Sequence, residues 1–217
     1  MQLPQKRSHR QRAHCNPFSD HDLDYPLSPE LVDKRPDILD VGCGYGGMLF
    51  CLSELFPNKE ILGMEIRKKL VDYVNLKIQY LQSEKGLAHN VSAVRTNTMK
   101  FLPNYVAKAS LAKMLILFPD PHFKKKKHKA RIVSTVMLDV YSYVLVPEGR
   151  LYLATDVEEL FLSMCACVEG HPLFRRLSVE EAEQDELWPH LVAQTEESKK
   201  ADMKHSQKYR AIFQNIS

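Results

Sequence analysis

Apolar residues fall into short runs that alternate with segments of helical spacing, beginning at Asp37. Ile38-Leu39-Asp40-Val41 has the density of a strand, and a glycine turn and a helix to about Leu55 follow it. Glu60-Ile61-Leu62-Gly63-Met64-Glu65 predicts a second strand. The helix after it carries Leu70, Val71, Val74, Ile78 and Leu81 at i, i+4 spacing. Val91 to Val94 is a weaker strand. Lys113 to Phe118 is nearly all apolar, as a central parallel strand must be when both its faces are covered. Ile132, Val133, Val136, Met137, Val140 and Val144 mark one helix face, which Pro147-Glu148-Gly149 ends. Arg150 to Thr155 predicts a fifth strand, and Val157, Leu160, Phe161, Met164 and Val168 another helical stripe. Tyr209 to Ile216 alternates as a terminal strand. Strands separated by helices of this length predict an α/β fold with a mostly parallel, doubly wound sheet and helices on both faces.

Residues 1–36 break the pattern. They are polar, with Pro17, Pro26, Pro29 and Pro36, and read as an arm, mobile or draped, ahead of a single domain at 37–217. With 217 residues, 44% of them hydrophobic, the chain can bury the core of one α/β domain and is slightly short for two. No apolar run of about 18 residues appears, and the N-terminus lacks the apolar stretch of a secretory signal. An intracellular protein without a membrane span is expected. Five cysteines, Cys15, Cys43, Cys51, Cys165 and Cys167, form no C-x-x-C pair and read as packed free thiols, with no metal site.

The net charge of +3 matters less than its distribution. Lys6, Arg7, Arg10 and Arg12 precede any acidic residue. Lys124, Lys125, Lys126, Lys127, Lys129 and Arg131 form a second basic block, while Glu180, Glu181, Glu183, Asp185 and Glu186 collect near the C-terminus. Such asymmetry points to an anionic partner meeting one face. On charge alone, nucleic acid and a solvated lysine loop are equally good readings.

The candidate chemistry sits at strand ends. Gly42, Gly44 and Gly47, within Asp40-Val41-Gly42-Cys43-Gly44-Tyr45-Gly46-Gly47, satisfy G-x-G-x-x-G at the first strand-to-helix turn, where glycines let backbone approach a ligand closely. Glu65, 18 residues beyond Gly47, can accept hydrogen bonds from both ribose hydroxyls of an adenosine-type ligand. NAD and S-adenosylmethionine share that ribose, so a dehydrogenase stays open here, although no Lys, Tyr or His constellation for hydride transfer is evident. Asp40 before the glycines leans toward a ligand bearing a sulfonium and an ammonium. Asn97, after the third strand, is a candidate for the adenine edge, with helix capping an equally good reading. Asp120 lies between two prolines beyond the fourth strand, where ligands of open parallel sheets bind.

Gly42-Cys43-Gly44-Tyr45-Gly46-Gly47, Glu65-Ile66-Arg67, Phe118-Pro119-Asp120-Pro121-His122-Phe123-Lys124, Thr155-Asp156 and Thr195-Glu196-Glu197 together resemble the tRNA (guanine-N7)-methyltransferase family. Arg12-Ala13-His14 with Asn16-Pro17 resembles the arm of its eukaryotic members, and the similarity runs in order from about Arg10 to Phe213. Two features depart from the pattern: the segment between Pro26 and Pro36 is shorter than in eukaryotic members, and Ser198 stands where bacterial members have Glu.

The resemblance implies a Rossmann-like class I methyltransferase fold with S-adenosylmethionine as methyl donor. It implies donor contacts from Gly42, Glu65, Ile66, Asn97, Thr98 and Leu117, and roles near the donor or target base for Thr195 and Glu197. It further implies catalysis at Asp120, with Lys124 and Asp156 at the substrate. The substrate implied is tRNA, modified at the guanosine of position 46 in the variable loop. A noncatalytic WD-repeat β-propeller partner is implied as well, as is a nuclear location, with the cytoplasm as a second compartment. Bordering the same crevice, Lys125, Lys126, Lys127 and Arg131 are expected on the RNA, and Arg10 and Arg12 are expected to clamp it. A catalytically silent RNA-binding subunit is the other reading, disfavoured because Gly42, Gly44, Glu65 and Asp120 are all present. Guanine N7 carries a lone pair and no proton, so Asp120 is expected to position the base and favour the cationic product, not to abstract a proton.

Overall fold

The computed structural model describes residues 2–12, 16–18, 25–29, 35–194 and 207–217, apart from the side chains of Lys125 and Lys127. In chain order the elements are β1 (Ile38–Val41), α1 (Gly47–Leu55), β2 (Ile61–Glu65), α2 (Lys68–Lys85), β3 (Val91–Arg95), α3 (Thr98–Tyr105), β4 (Leu111–Leu117), α4 (Thr135–Val144), β5 (Leu145–Thr155), α5 (Glu158–Glu169), β6 (Phe174–Arg176), α6 (Val179–Glu183) and β7 (Tyr209–Asn215). They build a 7-stranded sheet in the order β3-β2-β1-β4-β5-β7-β6. The first five strands are parallel, and β7 runs antiparallel between β5 and β6. The chain therefore leaves β1 toward β2 and β3, then crosses back to β4, which makes the β1–β4 boundary the switch point of the sheet.

Alternation along each strand supplies two cores, one per face. Leu39, Val41, Met114, Ile116, Leu151, Leu153 and Phe213 pack with Leu102, Met137, Tyr141, Leu160 and Met164 from α3, α4 and α5. Ile38, Leu115, Leu117, Tyr152, Ala154 and Ile212 face the other way, onto Leu49, Leu52, Val74 and Ile78 of α1 and α2. Among the described residues no helix is long and apolar enough to cross a membrane.

Two short elements and one buried charge lie beyond the hydrophobic pattern. β6 is only three residues long. α6 opens with a complete capping box in which Ser178 and Glu181 exchange side-chain and backbone bonds. Asp185, counted above in an acidic cluster, is buried: it accepts from the Tyr152 hydroxyl at 2.9 Å and the Leu187 N–H at 2.8 Å and pairs with Arg150. It locks the chain after α6 onto the sheet. The free thiols Cys43 and Cys165 are buried, and Cys15 lies outside the described residues.

Gly63 fixes how closely α1 approaches the sheet. A Cβ there would lie 2.6 Å from Leu49 Cδ1 and 2.8 Å from Cys43 Sγ, both inside the core. Gly63→Val is expected to cost about 2 kcal/mol through overpacking, lowering Tm by about 4–8 °C. A thermal melt of the variant checks this, and an unchanged Tm would show that α1 slides freely on β2.

Candidate active site

The loops after β1, β2, β3 and β4 open at one edge of the sheet around a cleft of about 150 Å³. Val41 and Gly42 line it from β1, Glu65, Ile66 and Arg67 from β2, Thr96, Asn97 and Thr98 from β3, and Leu117 to Asp120 from β4. Seven of the residues singled out from sequence, Gly42, Glu65, Ile66, Asn97, Thr98, Leu117 and Asp120, thus meet in one cavity at the switch point. Gly44 stands just outside that lining but reaches it through its N–H. Thr195 and Glu197 lie outside the described residues.

The glycine turn has a backbone reason. Gly42 and Gly46 both adopt φ +73°, a left-handed conformation that penalises a Cβ. Gly46 caps α1, and a Cβ on it would press on Phe50 and Val74 at 3.2 Å, whereas at Gly42 nothing lies within 4 Å of that point. The backbone at Gly42 is open to a ligand. Burial, with Asp40 and Glu65 nearby, raises the Cys43 thiol well above its ordinary value, so it stays a neutral packing group.

Glu65 caps β2 with its side chain 3% exposed. Its carboxylate accepts from Gly44 N–H at 3.2 Å, Arg67 N–H at 2.9 Å, Arg67 Nε at 3.0 Å and Arg67 Nη2 at 2.7 Å. This fork is charge-assisted and bidentate, the strong class of ion pair. Arg67 is therefore part of the site, a role the sequence pattern alone does not assign to it. Its place two residues after the ribose-type acid was the available signal.

After β3, Asn97 is the N-cap of α3. Its Oδ1 accepts from Met99 N–H at 3.1 Å, and its Nδ2 donates to the Pro17 carbonyl at 2.6 Å. Both ends of the amide thus have partners within the chain, which favours the capping alternative. Thr96 is 1% exposed, lines the cleft, and its hydroxyl has no hydrogen-bond partner among the described residues. An orphaned buried hydroxyl carries a desolvation penalty that a ligand contact removes. In the sequence Thr96 carries no signal of this, because a buried Thr at a strand end looks like ordinary core.

The described pieces of the arm rest on this same edge. Lys6–His9 form a 3-10 turn in which Lys6 lies over Tyr45 and His9 meets Tyr73 edge-on. Gln11 Oε1 accepts from Lys69 N–H, one of the open donors at the start of α2. Pro17 closes one wall of the cleft, Lys129 lies over Phe18, and Tyr25 stacks on Phe101 at 3.9 Å. Arg10, Arg12, Lys124 and Lys126 are exposed, and each basic block is joined in sequence to residues that line the cleft or pack beside it, Pro17 for one and His122 and Ala130 for the other. Asp156 is half-buried in the β5–α5 turn, next to the strand that ends in the Asp120 loop. Arg131 departs from the expectation of an RNA contact: it is 6% exposed and turned inward, bonded to the Pro121 carbonyl and Ser163. Among the described residues no group of three His, Cys, Asp or Glu side chains is placed to hold a metal.

Known proteins share both the fold and the sequence. A family model described as "Putative methyltransferase" matches residues 34–211. Among solved structures, a SAM dependent methyltransferase from Aquifex aeolicus superposes with a TM-score of 0.56 at 16% identity, covering 83% of this chain and 82% of that one. The aminoglycoside resistance methyltransferase NpmB1 does so with 0.54 at 17% identity over 84% and 88%. At such identities these two likenesses speak for the fold alone. Sequence relatives are far nearer: a tRNA (guanine-N(7)-)-methyltransferase of Anopheles gambiae is 48% identical over 100% of this chain and 97% of its own length. One from Caenorhabditis elegans is 46% identical over 99% of this chain and 89% of its own. With the glycine turn, the buried Glu65 and the Pro-Asp-Pro loop gathered at one cleft, and with identity of this order along its whole length, the chain belongs to the tRNA (guanine-N(7)-)-methyltransferase family.

Proposed function

We propose that this protein methylates N7 of guanine in tRNA, at position 46 of the variable loop, with S-adenosylmethionine as donor. The observation that carries the reading is the convergence of Glu65, the orphaned Thr96 hydroxyl and Asp120 on one cleft, with the exposed lysines Lys124 and Lys126 following Asp120 directly in the chain.

The cleft fits the donor's polar parts. Glu65 offers a carboxylate to the ribose diol, reached by replacing the Arg67 fork. Gly42 leaves room beside the backbone, and Thr96 offers an unused hydroxyl. Ile66 and Leu117 supply apolar walls, while Asn97 and Thr98 shape the start of α3. When bound, S-adenosylmethionine supplies an electrophilic methyl group on a sulfonium. The protein need provide no base, since guanine N7 has a free lone pair. Asp120 accepts hydrogen bonds from the N–H edge of guanine, fixes the ring's orientation, and offsets the positive charge that develops on it. Lys124, Lys125, Lys126 and Lys127, together with Arg10 and Arg12, hold the phosphate backbone while the base is unstacked into the cleft.

Thr96→Val tests the donor contact by opposite effects. Removing the orphaned hydroxyl is expected to leave the free protein equally or more stable, while donor affinity falls about 2–10-fold, the worth of one neutral hydrogen bond. Calorimetric titration with S-adenosylmethionine or its demethylated product, beside a thermal melt, reads both. Unchanged affinity would remove Thr96 from the donor site.

The position of the target is tested by strand scission at 7-methylguanosine in tRNA treated with the protein. Cleavage in the variable loop is the expected result, and cleavage elsewhere contradicts position 46. The resemblance to eukaryotic members extends the reading to a WD-repeat β-propeller partner and a nuclear location. Affinity purification of the tagged chain from its own cells, with imaging of the same tag, tests both.

A further inference from the structure

The basic segment from Lys124 to Arg131 is continuous in sequence, yet the fold divides it. Lys124, Lys126 and Lys129 are exposed, whereas the Arg131 side chain is only 7% exposed. Its Nε donates to the Pro121 carbonyl at 3.0 Å, Nη1 donates to Ser163 Oγ at 2.8 Å, and Nη2 lies 3.4 Å from Glu159 Oε1. Pro121 directly follows Asp120. Ser163 and Glu159 stand one turn apart on α5, the helix that begins just after Asp156.

We propose that Arg131 is a positioning residue that clamps the Asp120 loop to α5, and that it does not contact RNA. The proposal rests on the reading of Asp120 as the group that orients the target base. A guanidinium suits the task because its planar fork sends donors to three fixed partners at once, which a lysine ammonium on a flexible stem does not. The loop needs restraint. Phe118 at φ +51° and His122 at φ +46° flank Pro119-Asp120-Pro121 in left-handed conformations that non-glycine residues keep only when their surroundings enforce them. The Phe118 N–H is tied to the Ala154 carbonyl of β5 at 2.7 Å, which secures the front of the loop. Arg131 secures its back. Because α5 follows Asp156, the clamp also sets the Asp120 loop in register with the turn that carries Asp156.

The test uses the full chain, with any partner it needs for activity, in six forms: wild type, Arg131→Lys, Ser163→Ala, the double variant of these two, Asp120→Ala and Lys126→Gln. Single-turnover rates are measured at saturating tRNA and donor, tRNA affinity is measured across a salt series, and each form is melted. Arg131→Lys is expected to lower the saturated rate about 10–100-fold, the scale of a misplaced reacting group. Its slope of log affinity against log salt is expected to match wild type, while Lys126→Gln flattens that slope by about 0.7–0.9, one phosphate contact. Ser163→Ala, which removes one anchor with little risk to folding, is expected to lower the rate less. Combined with Arg131→Lys it adds less than its separate effect, because the two share one contact.

The clamp is overturned if Arg131→Lys flattens the salt slope and keeps the saturated rate. It is equally overturned if Ser163→Ala turns over at the wild-type rate, or if rate losses merely follow the folded fraction. Loss of activity in Asp120→Ala with none in the clamp variants removes the clamp and leaves the proposed function standing. A fully active Asp120→Ala removes the reading beneath it.

Discussion

Asp120→Ala is expected to lower the saturated methylation rate about 10²–10³-fold, the loss typical of removing one preorganised electrostatic group. Donor affinity should hardly move, because Glu65, Gly42 and Thr96 meet the cleft from other strands. The tRNA affinity should fall only slightly, since phosphate contacts on the basic rim supply most of it. Asp120→Asn separates the two parts of the role. The amide keeps the size of the side chain and one acceptor, so a rate between wild type and Ala would divide orientation from charge. If both variants turned over at the wild-type rate, Asp120 would be a loop residue and the Pro-Asp-Pro turn merely a scaffold.

Glu65→Gln is expected to weaken S-adenosylmethionine binding about 10²-fold, because hydrogen bonds to a charged acceptor contribute about 1.5–3 kcal/mol each and two meet the ribose diol. The variant also removes the charge opposite Arg67, whose side chain is only 16% exposed. Some loss of stability in the free protein is therefore expected, since a half-buried cation loses its partner. Two readouts keep the effects apart. Calorimetric Kd for the donor should rise in the folded variant, while the thermal melt reports the structural part. A lowered Tm with an unchanged Kd would make Glu65 an anchor for Arg67 and the glycine turn, with no part in donor binding.

The fold was legible where local pattern and burial coincide. The central parallel strands are buried on both faces, so Ile38–Val41, Ile61–Glu65 and Lys113–Leu117 stand out as apolar runs, and Gly42 and Glu65 fall at the ends of the first two by simple counting. Legibility failed where an element is short or its pattern ambiguous. α3, with Pro103 inside it, has no counterpart among the elements expected from the pattern, and β6 is too short to show alternation. The capping box at Ser178 was present as S-x-x-E and marks α6. Charge is the least legible property. Arg131 and Asp185 look like members of solvated runs, yet each is buried beside a partner distant in sequence, Ser163 for one and Arg150 for the other. Only the fold brings those partners near. The arm is a similar case, since its contacts through Lys6, Pro17 and Tyr25 belong to tertiary packing and leave no periodic trace.

The most direct measurement incubates the protein, with and without a β-propeller partner, with labelled S-adenosylmethionine and unmodified total tRNA, then digests the RNA and identifies the labelled nucleoside by mass spectrometry. 7-Methylguanosine is expected from the wild-type protein, and its loss in Asp120→Ala. A different methylated nucleoside, or no methylated nucleoside even with the partner present, would contradict the proposed function.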